Sequence, residues 1–237
     1  MRKINVLIFS GAGVSKESGV ATFRDNGGLW NDFKVEEVAS IHGWMSNPQK
    51  VIEFYNMRRR EMQDVVPNDA HKVIAELEKN FNVTVATQNV DDLHERAGST
   101  NVIHLHGELS KLRSEFNEHY IKPYNRDLKL GDYCPDGGHM RPDVVWFGEE
   151  LNPMRMYNTT SAAEIADVCI IVGTSMAVAP ANMIPFKTKE NCLIYYVDPS
   201  DVNFNVPKQR RPFFYHIQQP ASVGMLEVKN DLETIFL

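Results

Sequence analysis

Small residues follow the first apolar run of the chain in a pattern that suits a phosphate group. The run 4–9 leads into Gly11, Ala12 and Gly13. Two glycines let the backbone turn tightly and approach a ligand without a Cβ in the way. If a helix begins near Ser15, its free N–H groups and the positive end of its dipole face the same point, which suits a pyrophosphate. Alone, Gly-x-Gly also fits an ordinary strand-to-helix turn, because the third glycine of the dinucleotide fingerprint is out of place.

A hydroxyl, two aromatic rings and a guanidinium come just after this loop. They belong to Thr22, Phe23, Arg24 and Trp30. A loop that carries such groups can fold over a bound cofactor, and the sequence therefore predicts a second contact segment beside the glycines.

Polar or glycine-bearing loops follow each of four predicted strands. The apolar runs are 4–9, 83–87, 167–172 and 193–197, and their loops include Gly11, Gln88, Gly173 and Asp198. Apolar runs of this length are typical of parallel strands that are covered on both faces, whereas 34–80 and 161–166 have helical spacing and 230–237 is predicted to be a short helix. In doubly wound α/β folds, ligands bind outside the carboxyl ends of the strands. We therefore predict a Rossmann-like α/β fold, with helices on both faces of a parallel sheet and one site assembled from distant segments.

Amide, carboxylate and imidazole groups cluster between residues 88 and 106. Gln88, Asn89 and Asp91 stand between a predicted strand and a predicted helix, where Asn and Asp are often only helix caps. His104 and His106 are two residues apart, so in an extended segment they share a face. They are possible metal ligands, although no other ligand cluster is evident. Alternatively, an imidazole with a pKa near 6.5 can serve as a general base at neutral pH.

The segments 11–15, 22–24, 88–91, 106–108 and 144–149 resemble, in this order, those of the sirtuins, the NAD-dependent protein deacylases. The resemblance runs from about residue 4 to about residue 198. It implies a single catalytic domain with a Rossmann-like large part (about 1–33, 82–108 and 145–237). A small module of helical and loop segments (about 34–81 and 109–144) would be inserted into it.

The resemblance implies NAD as cofactor. The implied NAD-binding residues are Gly11, Ala12, Gly13, Thr22, Phe23, Arg24, Trp30, Gln88, Asn89, Asp91, Gly173, Thr174, Ser175, Asp198 and Ala221. The adenosine side has less support, since Asp198 stands where the family often has Asn, and Ala221 is assigned only by chain order.

The resemblance also implies the reaction. The acyl oxygen of acyl-lysine attacks C1′ of the nicotinamide ribose, nicotinamide leaves, and His106 acts as general base towards a ribose hydroxyl. Asn89 would orient the ribose or a water, and Asp91 would contact the nicotinamide amide. The products would be free lysine, nicotinamide and 2′-O-acyl-ADP-ribose.

Two segments are implied to hold an acyl-lysine protein or peptide. Val145, Phe147 and Gly148 lie in an alternating apolar segment that would pair with the peptide backbone as an added strand. Tyr55 and Arg58 are three residues apart on a predicted helix, a pattern that alone fits a core tyrosine beside a basic surface. Their spacing resembles the Tyr-x-x-Arg pair of the sirtuins that remove succinyl groups, in which the arginine pairs with the acyl carboxylate.

The cysteines depart from the family pattern. Most sirtuins hold a structural zinc with two Cys-x-x-Cys pairs, whereas this chain has three cysteines and no such pair. Ser114 stands where a first cysteine is expected, and only Cys134 remains of the second pair. A zinc site at Cys134 would need ligands from separate parts of the chain to converge, namely Asp132, His119 and His139. We therefore predict no zinc and no other metal. A small apolar cluster is an alternative support for the module, with Tyr120, Pro123, Tyr124 and Tyr133 as its candidates.

Composition narrows the possible partners and leaves two rival functions. The net charge of −6 argues against a nucleic-acid-binding role, and no run approaches the length of a membrane span. We therefore predict a cytoplasmic enzyme with no nucleic-acid or membrane partner. The first rival is NAD hydrolysis or ADP-ribosyl transfer on the same fold, and His106 and the Tyr55–Arg58 pair speak against it. The second is a non-enzymatic sensor of NAD or ADP-ribose.

Overall fold

The computed structural model describes residues 2–21, the backbone of 29–30, and residues 33–237. Thr22, Phe23 and Arg24 lie outside the described residues, as does the side chain of Trp30. The elements are β1 (Asn5–Ser10), α1 (Gly13–Lys16), β2 (Leu29–Trp30), β3 (Phe33–Lys34), α2 (Val35–Val38), α3 (Ile41–Ser46), α4 (Pro48–Asp64), α5 (Asp69–Leu77), β4 (Asn82–Thr87), α6 (Leu93–Ala97), β5 (Val102–His104), β6 (Gly107–Ser114), β7 (Ile121–Pro123), β8 (Met140–Val144), α7 (Pro153–Ile165), β9 (Val168–Val172), β10 (Leu193–Val197), β11 (Phe214–Ile217) and α8 (Ala221–Phe236). Two 3₁₀ helices span Ala181–Lys187 and Lys208–Phe213.

A parallel sheet of six strands forms the centre of the large part, in the order β5-β4-β1-β9-β10-β11. The chain moves outward from β1 in one direction and then returns to lie on the other side of β1, so the strand order reverses between β1 and β9. Ser10 is level with Thr87 on one side and with Val172 on the other. The three strands therefore end together, and the loops after them share one edge, as predicted for a doubly wound fold.

Alternating residues of the strands enter two separate apolar layers. Val6 and Ile8 face α5 and α8, whereas Leu7 and Phe9 face α7 and the 3₁₀ helix Ala181–Lys187. All four side chains are almost fully buried. Burial on both faces explains why β1 is apolar along its length, and each such side chain contributes about 1.5–3 kcal/mol to folding.

The helical prediction for 34–80 is confirmed, because α2 to α5 occupy most of this range. Asn47 caps α4 by accepting a hydrogen bond from the Lys50 N–H at 3.0 Å, and Asn68 caps α5 through the Ala70 N–H at 2.9 Å. The final helix, α8, begins nine residues earlier than the predicted start at residue 230.

A second sheet holds the segment predicted as helices and loops. Strands β6, β7 and β8 form an antiparallel sheet in the order β7-β6-β8. The sheet packs against α2, α3 and α4 around a separate core that includes Trp44, Phe54, Tyr55 and Trp146. The expected loops are strands because most residues of β6 alternate between buried and partly exposed side chains, a pattern that fits a half-buried antiparallel sheet.

The predicted cluster of tyrosines and proline does not form. Tyr133 is 55% exposed and lies against the His139 ring, and Pro123 is exposed. Only Tyr124 is buried, with the guanidinium groups of Arg59 and Arg126 within 5.6 Å of its ring centre. Tyr124 thus belongs to the core that includes Leu112 and Leu128, with two guanidinium groups near its ring, rather than to a separate cluster of tyrosines and proline.

Polar contacts attach this sheet to α4. The Asn56 side chain donates to the Leu128 C=O at 2.8 Å and accepts from the Leu128 N–H at 2.9 Å. Arg59 donates to the Leu109 C=O at 3.1 Å and to Asn56 Oδ1 at 2.8 Å. Both side chains are buried, so these bonds satisfy groups that water cannot reach.

No group of three or more His, Cys, Asp or Glu side chains that could hold a metal ion is found among residues 2–21 and 33–237. In the same part of the chain, no helix is long and apolar enough to cross a membrane.

Candidate active site

A cavity of about 1310 Å³ lies outside the carboxyl ends of β1, β4, β9 and β10. Every sequence-predicted site residue whose side chain or glycine backbone is described lines this cavity. These residues are Gly11, Ala12, Gly13, Tyr55, Arg58, Gln88, Asn89, Asp91, His106, Val145, Phe147, Gly148, Gly173, Thr174, Ser175, Asp198 and Ala221. The fold thus brings together groups that are more than 200 residues apart in the sequence.

The glycines of the first loop are required by the loop after β9. A Cβ on Gly11 would lie 2.6 Å from Thr174 Cβ, and one on Gly13 would lie 2.7 Å from Gly173 Cα. The Gly13 N–H donates to the Gly173 C=O at 2.8 Å, and Gly173 has a positive φ of 61°. Direct backbone contact between the two loops therefore needs these glycines, in addition to any approach of a ligand. Helix α1 begins at Gly13 rather than near the predicted Ser15 and has four residues.

Ser15 connects the first loop to the loop after β4. Asn89 Nδ2 donates to Ser15 Oγ at 3.0 Å, and Ser15 Oγ donates to Asp91 Oδ2 at 3.0 Å. Asp91 Oδ1 accepts the Leu93 N–H at 3.2 Å, so the carboxylate also caps the start of α6. Burial raises the pKa of Asp91, although the bonds from Leu93 and Ser15 act against this effect. The sequence analysis did not identify Ser15 as a site residue. Its position two residues after Gly13 was the one feature of the sequence that could have indicated such a role.

Two imidazoles hold the backbone of the same loop. His106 Nδ1 lies 2.9 Å from the Gln88 C=O, and His104 Nδ1 lies 3.0 Å from the Asn89 C=O. A carbonyl can only accept, so Nδ1 carries the proton in each ring. The Gln88 side chain in turn donates to Thr174 Oγ1 at 3.1 Å, which connects this loop to the one after β9.

The two histidines have opposite electrostatic environments. Burial lowers the pKa of His106, and its bond to Gln88 only partly offsets this effect. His106 is therefore neutral at pH 7, with an unprotonated Nε2. Burial also lowers the pKa of His104, but the hydrogen bond and charge of Glu95, 2.7 Å from Nε2, outweigh it and raise the pKa. Both His104 nitrogens are engaged by protein groups, which excludes it as a metal ligand in this conformation.

Helix α4 directs Tyr55 and Arg58 to the same cavity. Tyr55 is 1% exposed, and its oxygen accepts a hydrogen bond from Trp146 Nε1 at 2.9 Å. Burial raises the pKa of Tyr55, so the phenol keeps its proton and can donate it. Arg58 is also buried and forms an ion pair with Glu61, Nη1 to Oε2, at 2.8 Å.

The backbone of Phe147, in the segment after β8, is already paired through both its N–H and its C=O. The Phe147 N–H donates to the Ala39 C=O at 2.9 Å, and its C=O accepts from the Ile41 N–H at 3.1 Å. The Phe147 side chain is 53% exposed. Within the described part of the chain, the Val145 C=O and the Gly148 N–H have no hydrogen-bond partner. These two groups, rather than those of Phe147, are available to an extended peptide.

A buried ion pair that sequence reasoning missed supports this segment. The Arg141 guanidinium lies 3.5 Å from the Trp146 ring centre and bonds Glu149, at 3.0 Å from Nη2 to Oε2. Glu149 Oε2 also accepts the Trp146 N–H at 2.9 Å. The position of Trp146, and through it the hydrogen bond to Tyr55, therefore depends on a charged pair in the sheet. No motif in the sequence signals this pair.

Comparisons with known proteins identify the family of this chain. The Sir2 family model matches residues 11–180. The chain is 50% identical over 204 residues to the NAD-dependent protein deacylase of Helicobacter pylori, with 86% of each chain covered. It is 44% identical over 231 residues to that of Bacteroides thetaiotaomicron, with 95% of this chain and 96% of the relative covered. Among solved structures, a Sir2 homologue–NAD complex superposes with a TM-score of 0.82 at 36% identity, covering 97% of this chain and 90% of the other. The family model spans more than half of the chain and both relatives are matched over most of their length, so this protein belongs to the Sir2 family, the sirtuins.

Proposed function

We propose that this protein is an NAD-dependent protein lysine deacylase that produces free lysine, nicotinamide and 2′-O-acyl-ADP-ribose. Relatives at 50% and 44% identity are named NAD-dependent protein deacylases. The observation that carries the proposal is the cavity that a neutral imidazole, His106, shares with the Asn89 loop and the Tyr55–Arg58 pair. A hydrolase for free NAD has no use for the Tyr55–Arg58 pair in this cavity.

The cavity fits NAD in size and in chemistry. Its volume of about 1310 Å³ exceeds the roughly 300–1,000 Å³ of a typical small-molecule site, which leaves room for a dinucleotide and an acyl-lysine side chain together. Gly11, Ala12 and Gly13 would hold the pyrophosphate with Gly173, Thr174 and Ser175; Gln88, Asn89 and Asp91 would hold the nicotinamide side; Asp198 and Ala221 would hold the adenosine. Bound NAD supplies an electrophilic ribose carbon from which nicotinamide can leave. Thr22, Phe23, Arg24 and Trp30 remain predicted contacts outside the described side chains.

His106 is arranged to take a proton at Nε2. The Gln88 C=O holds Nδ1–H, so the lone pair of Nε2 is available, and the same carbonyl stabilises the positive charge that forms on the ring. The depressed pKa keeps the ring unprotonated at neutral pH. Burial of the surrounding groups restricts the access of water. A deacylase needs this exclusion, because water would otherwise hydrolyse NAD.

Asn89 is held in one orientation by Ser15. Because Ser15 Oγ donates to Asp91, it can only accept from Asn89, and this fixes which end of the Asn89 amide points towards Ser15. The opposite end, Oδ1, is then set to position a ribose hydroxyl or a water. Asp91, with its raised pKa, is suited to contact a neutral carboxamide.

The peptide segment of an acyl-lysine protein would lie in an extended conformation beside the segment that follows β8. The Val145 C=O would accept from the peptide backbone and the Gly148 N–H would donate to it, in the manner of an added strand. Phe147 would contribute its exposed ring. Val178 and Pro180, which also line the cavity, would form the opposite side of this cleft.

Tyr55 and Arg58 would contact the acyl group. A guanidinium and a phenol that still carries its proton are both donors, and two donors that line the same cavity suit a carboxylate such as that of a succinyl group. We infer that the enzyme accepts succinyl-lysine as well as acetyl-lysine. If Arg58→Met leaves the ratio of desuccinylation to deacetylation unchanged, this assignment is wrong.

Three further proposals rest on the sequence. The Rossmann-like part would comprise about 1–33, 82–108 and 145–237, with about 34–81 and 109–144 as the small module. The module would hold no zinc, since Cys134 is the sole remaining cysteine of the family's zinc ligands. The enzyme would act in the cytoplasm.

Mass spectrometry of acyl peptides tests the proposed function. One peptide carrying either acetyl-lysine or succinyl-lysine is incubated with and without NAD, using wild type and His106→Tyr. We expect NAD-dependent loss of the acyl group in wild type and none in the variant. Nicotinamide release with the peptide untouched would instead favour NAD hydrolysis, and tight NAD binding with no turnover would favour a sensor.

A further inference from the structure

Three consecutive arginines on α4 have three different partners. Arg59 is directed towards the Leu109 C=O and Asn56, and Arg60 pairs with Asp127 at 2.6 Å on the surface. Arg58 is the member of this run that lines the cavity, and its carboxylate partner is Glu61, one helical turn further along. Glu61 therefore acts on the arginine that is proposed to contact the acyl group.

The two members of this ion pair have unequal exposure. The Arg58 side chain is 7% exposed, whereas that of Glu61 is 41% exposed, and Glu61 is not among the residues that line the cavity. The Arg58 guanidinium thus has a half-exposed carboxylate partner outside the cavity lining and itself lines the cavity in which the acyl group would bind.

The energetics of the Glu61 partner and of a substrate carboxylate differ. Burying a guanidinium without a nearby anion costs free energy. The positive charge of Arg58 therefore needs a negative partner when the cavity holds an uncharged acyl group. A pair at i,i+3 with a half-exposed carboxylate is weak, so a substrate carboxylate can compete with Glu61 for the same cation. Glu61 would also repel the incoming carboxylate, because both negative charges would lie close to the same guanidinium.

We propose that Glu61 sets the acyl selectivity of this site: by compensating the charge of Arg58, it allows uncharged acyl groups to enter and lowers the preference for acidic ones. This inference rests on the proposed deacylase function and on the assignment of Arg58 to the acyl group. Glu61 is a positioning and charge-compensating residue, since it contacts Arg58 and not the substrate.

The test measures kcat and KM for matched acetyl-lysine and succinyl-lysine peptides. Glu61→Gln keeps the size of the side chain and an oxygen acceptor but removes the charge. We expect the succinyl-to-acetyl ratio of kcat/KM to rise about fivefold, chiefly through a lower KM for the succinyl peptide. Glu61→Asp, which keeps the charge, should remain near the wild-type ratio.

Glu53→Gln is the matched control. Glu53 is an exposed carboxylate on the same helix that accepts from Gln49 Nε2 at 2.7 Å, away from the cavity lining. It removes the same charge from α4, so a general effect of net charge on peptide binding would appear in this variant too. An equal rise in the ratio for Glu53→Gln would overturn the role of Glu61.

Arg58→Met separates the inference from the proposal on which it rests. If the double variant Arg58→Met/Glu61→Gln has the ratio of Arg58→Met alone, Glu61 acts through Arg58 as proposed. If Arg58→Met lowers the ratio but Glu61→Gln does not change it, the inference about Glu61 fails and the acyl role of Arg58 stands. If Arg58→Met has no effect on the ratio, both fail. A parallel loss of activity on both peptides in Glu61→Gln would indicate a purely structural role and overturn the inference.

Discussion

Asn56 and Asn89 are buried to the same extent, 7% exposed, yet the two regions of the molecule use them differently. Asn56, in the antiparallel part, makes three hydrogen bonds, two with the backbone of Leu128 and one with Arg59. Asn89, at the end of β4, binds Ser15 with its amide nitrogen and lines the cavity. In the first region the polar groups complete the fold, and in the second some of them line the cavity.

Truncation of the two asparagines should give the largest and most opposed effects. Asn89→Ala should lower kcat by about 100- to 1000-fold, since the group proposed to orient the reacting atoms is lost, with little change in stability. Asn56→Ala should lower the free energy of unfolding by about 4 kcal/mol, because it removes one acceptor of the buried Arg59 guanidinium and both side-chain hydrogen bonds to the Leu128 backbone. Urea unfolding and peptide deacylation measured on both variants test the contrast. Equal stability losses would show that the site residues are structural as well.

Glycine substitutions test whether the loops of the site depend on direct contact with one another. Gly13→Ala should cost about 3 kcal/mol of stability and weaken NAD binding, because its Cβ would meet the Gly173 backbone at 2.7–3.0 Å. Gly19→Ala is the control: its φ is +87° but nothing lies within 4 Å of the added Cβ, so only about 1 kcal/mol is expected. Thermal unfolding and NAD titration of both variants measure the difference. A loss at Gly13 no larger than that at Gly19 would mean that the contact between the loops does not require a glycine.

Buried histidines under the site should make stability depend on pH. His71 is fully buried, its ring lies 4.9 Å from that of His94, and His94 Nε2 lies 2.9 Å from Ser10 Oγ in β1. Burial lowers the pKa of His71 to about 4, with the charge of Glu17 acting in the opposite direction. The unfolded chain therefore binds a proton more readily than the folded one below about pH 6.5. Stability from His71 is full above that pH, and about 2–3 kcal/mol of it should be lost as the pH falls to about 4.

The matched variant for this prediction is His71→Gln, which is polar but does not titrate. Its free energy of unfolding should fall less steeply than that of wild type between pH 6.5 and 4. His104 acts in the opposite sense, because its raised pKa gives a contribution that is lost as the pH rises through that value. Denaturant unfolding across this pH range decides the matter, and an unchanged slope in His71→Gln would contradict the assignment.

The same contrast between regions explains what the sequence allowed us to predict. Strands β1, β4, β9 and β10 are apolar along most of their length because both faces are buried, so their runs predict strands and their ends predict the site. Strand β8 includes Arg141 and Asp143, buried charges whose partners, Glu149 and Arg155, lie beyond the strand. No local pattern reveals such pairing.

Two further differences have local causes. The first half of α8 has Gly224, a poor helix former, which hid the helix from a propensity argument. This glycine is needed because a Cβ there would lie 2.4 Å from Val197 Cγ1. Ser15 was missed as a site residue because its hydrogen bonds join segments that are more than 70 residues apart.

Addition of a metal chelator should have the smallest effect on stability of all these changes. Where relatives would have zinc-binding cysteines, Cys134 is buried in a tight turn, and burial raises the pKa of its thiol. A metal ligand must be a thiolate, so this environment disfavours binding. Ser114, at the expected place of the first cysteine, instead accepts the Phe116 N–H at 3.1 Å. We expect a chelator to shift Tm by less than about 1 °C, since the contacts of Asn56 and Arg59 hold this region to α4. Stoichiometric zinc by elemental analysis, or a large fall in Tm with the chelator, would show that the antiparallel part depends on a metal. The antiparallel part could then no longer be contrasted with the cavity region as one whose own polar groups complete the fold.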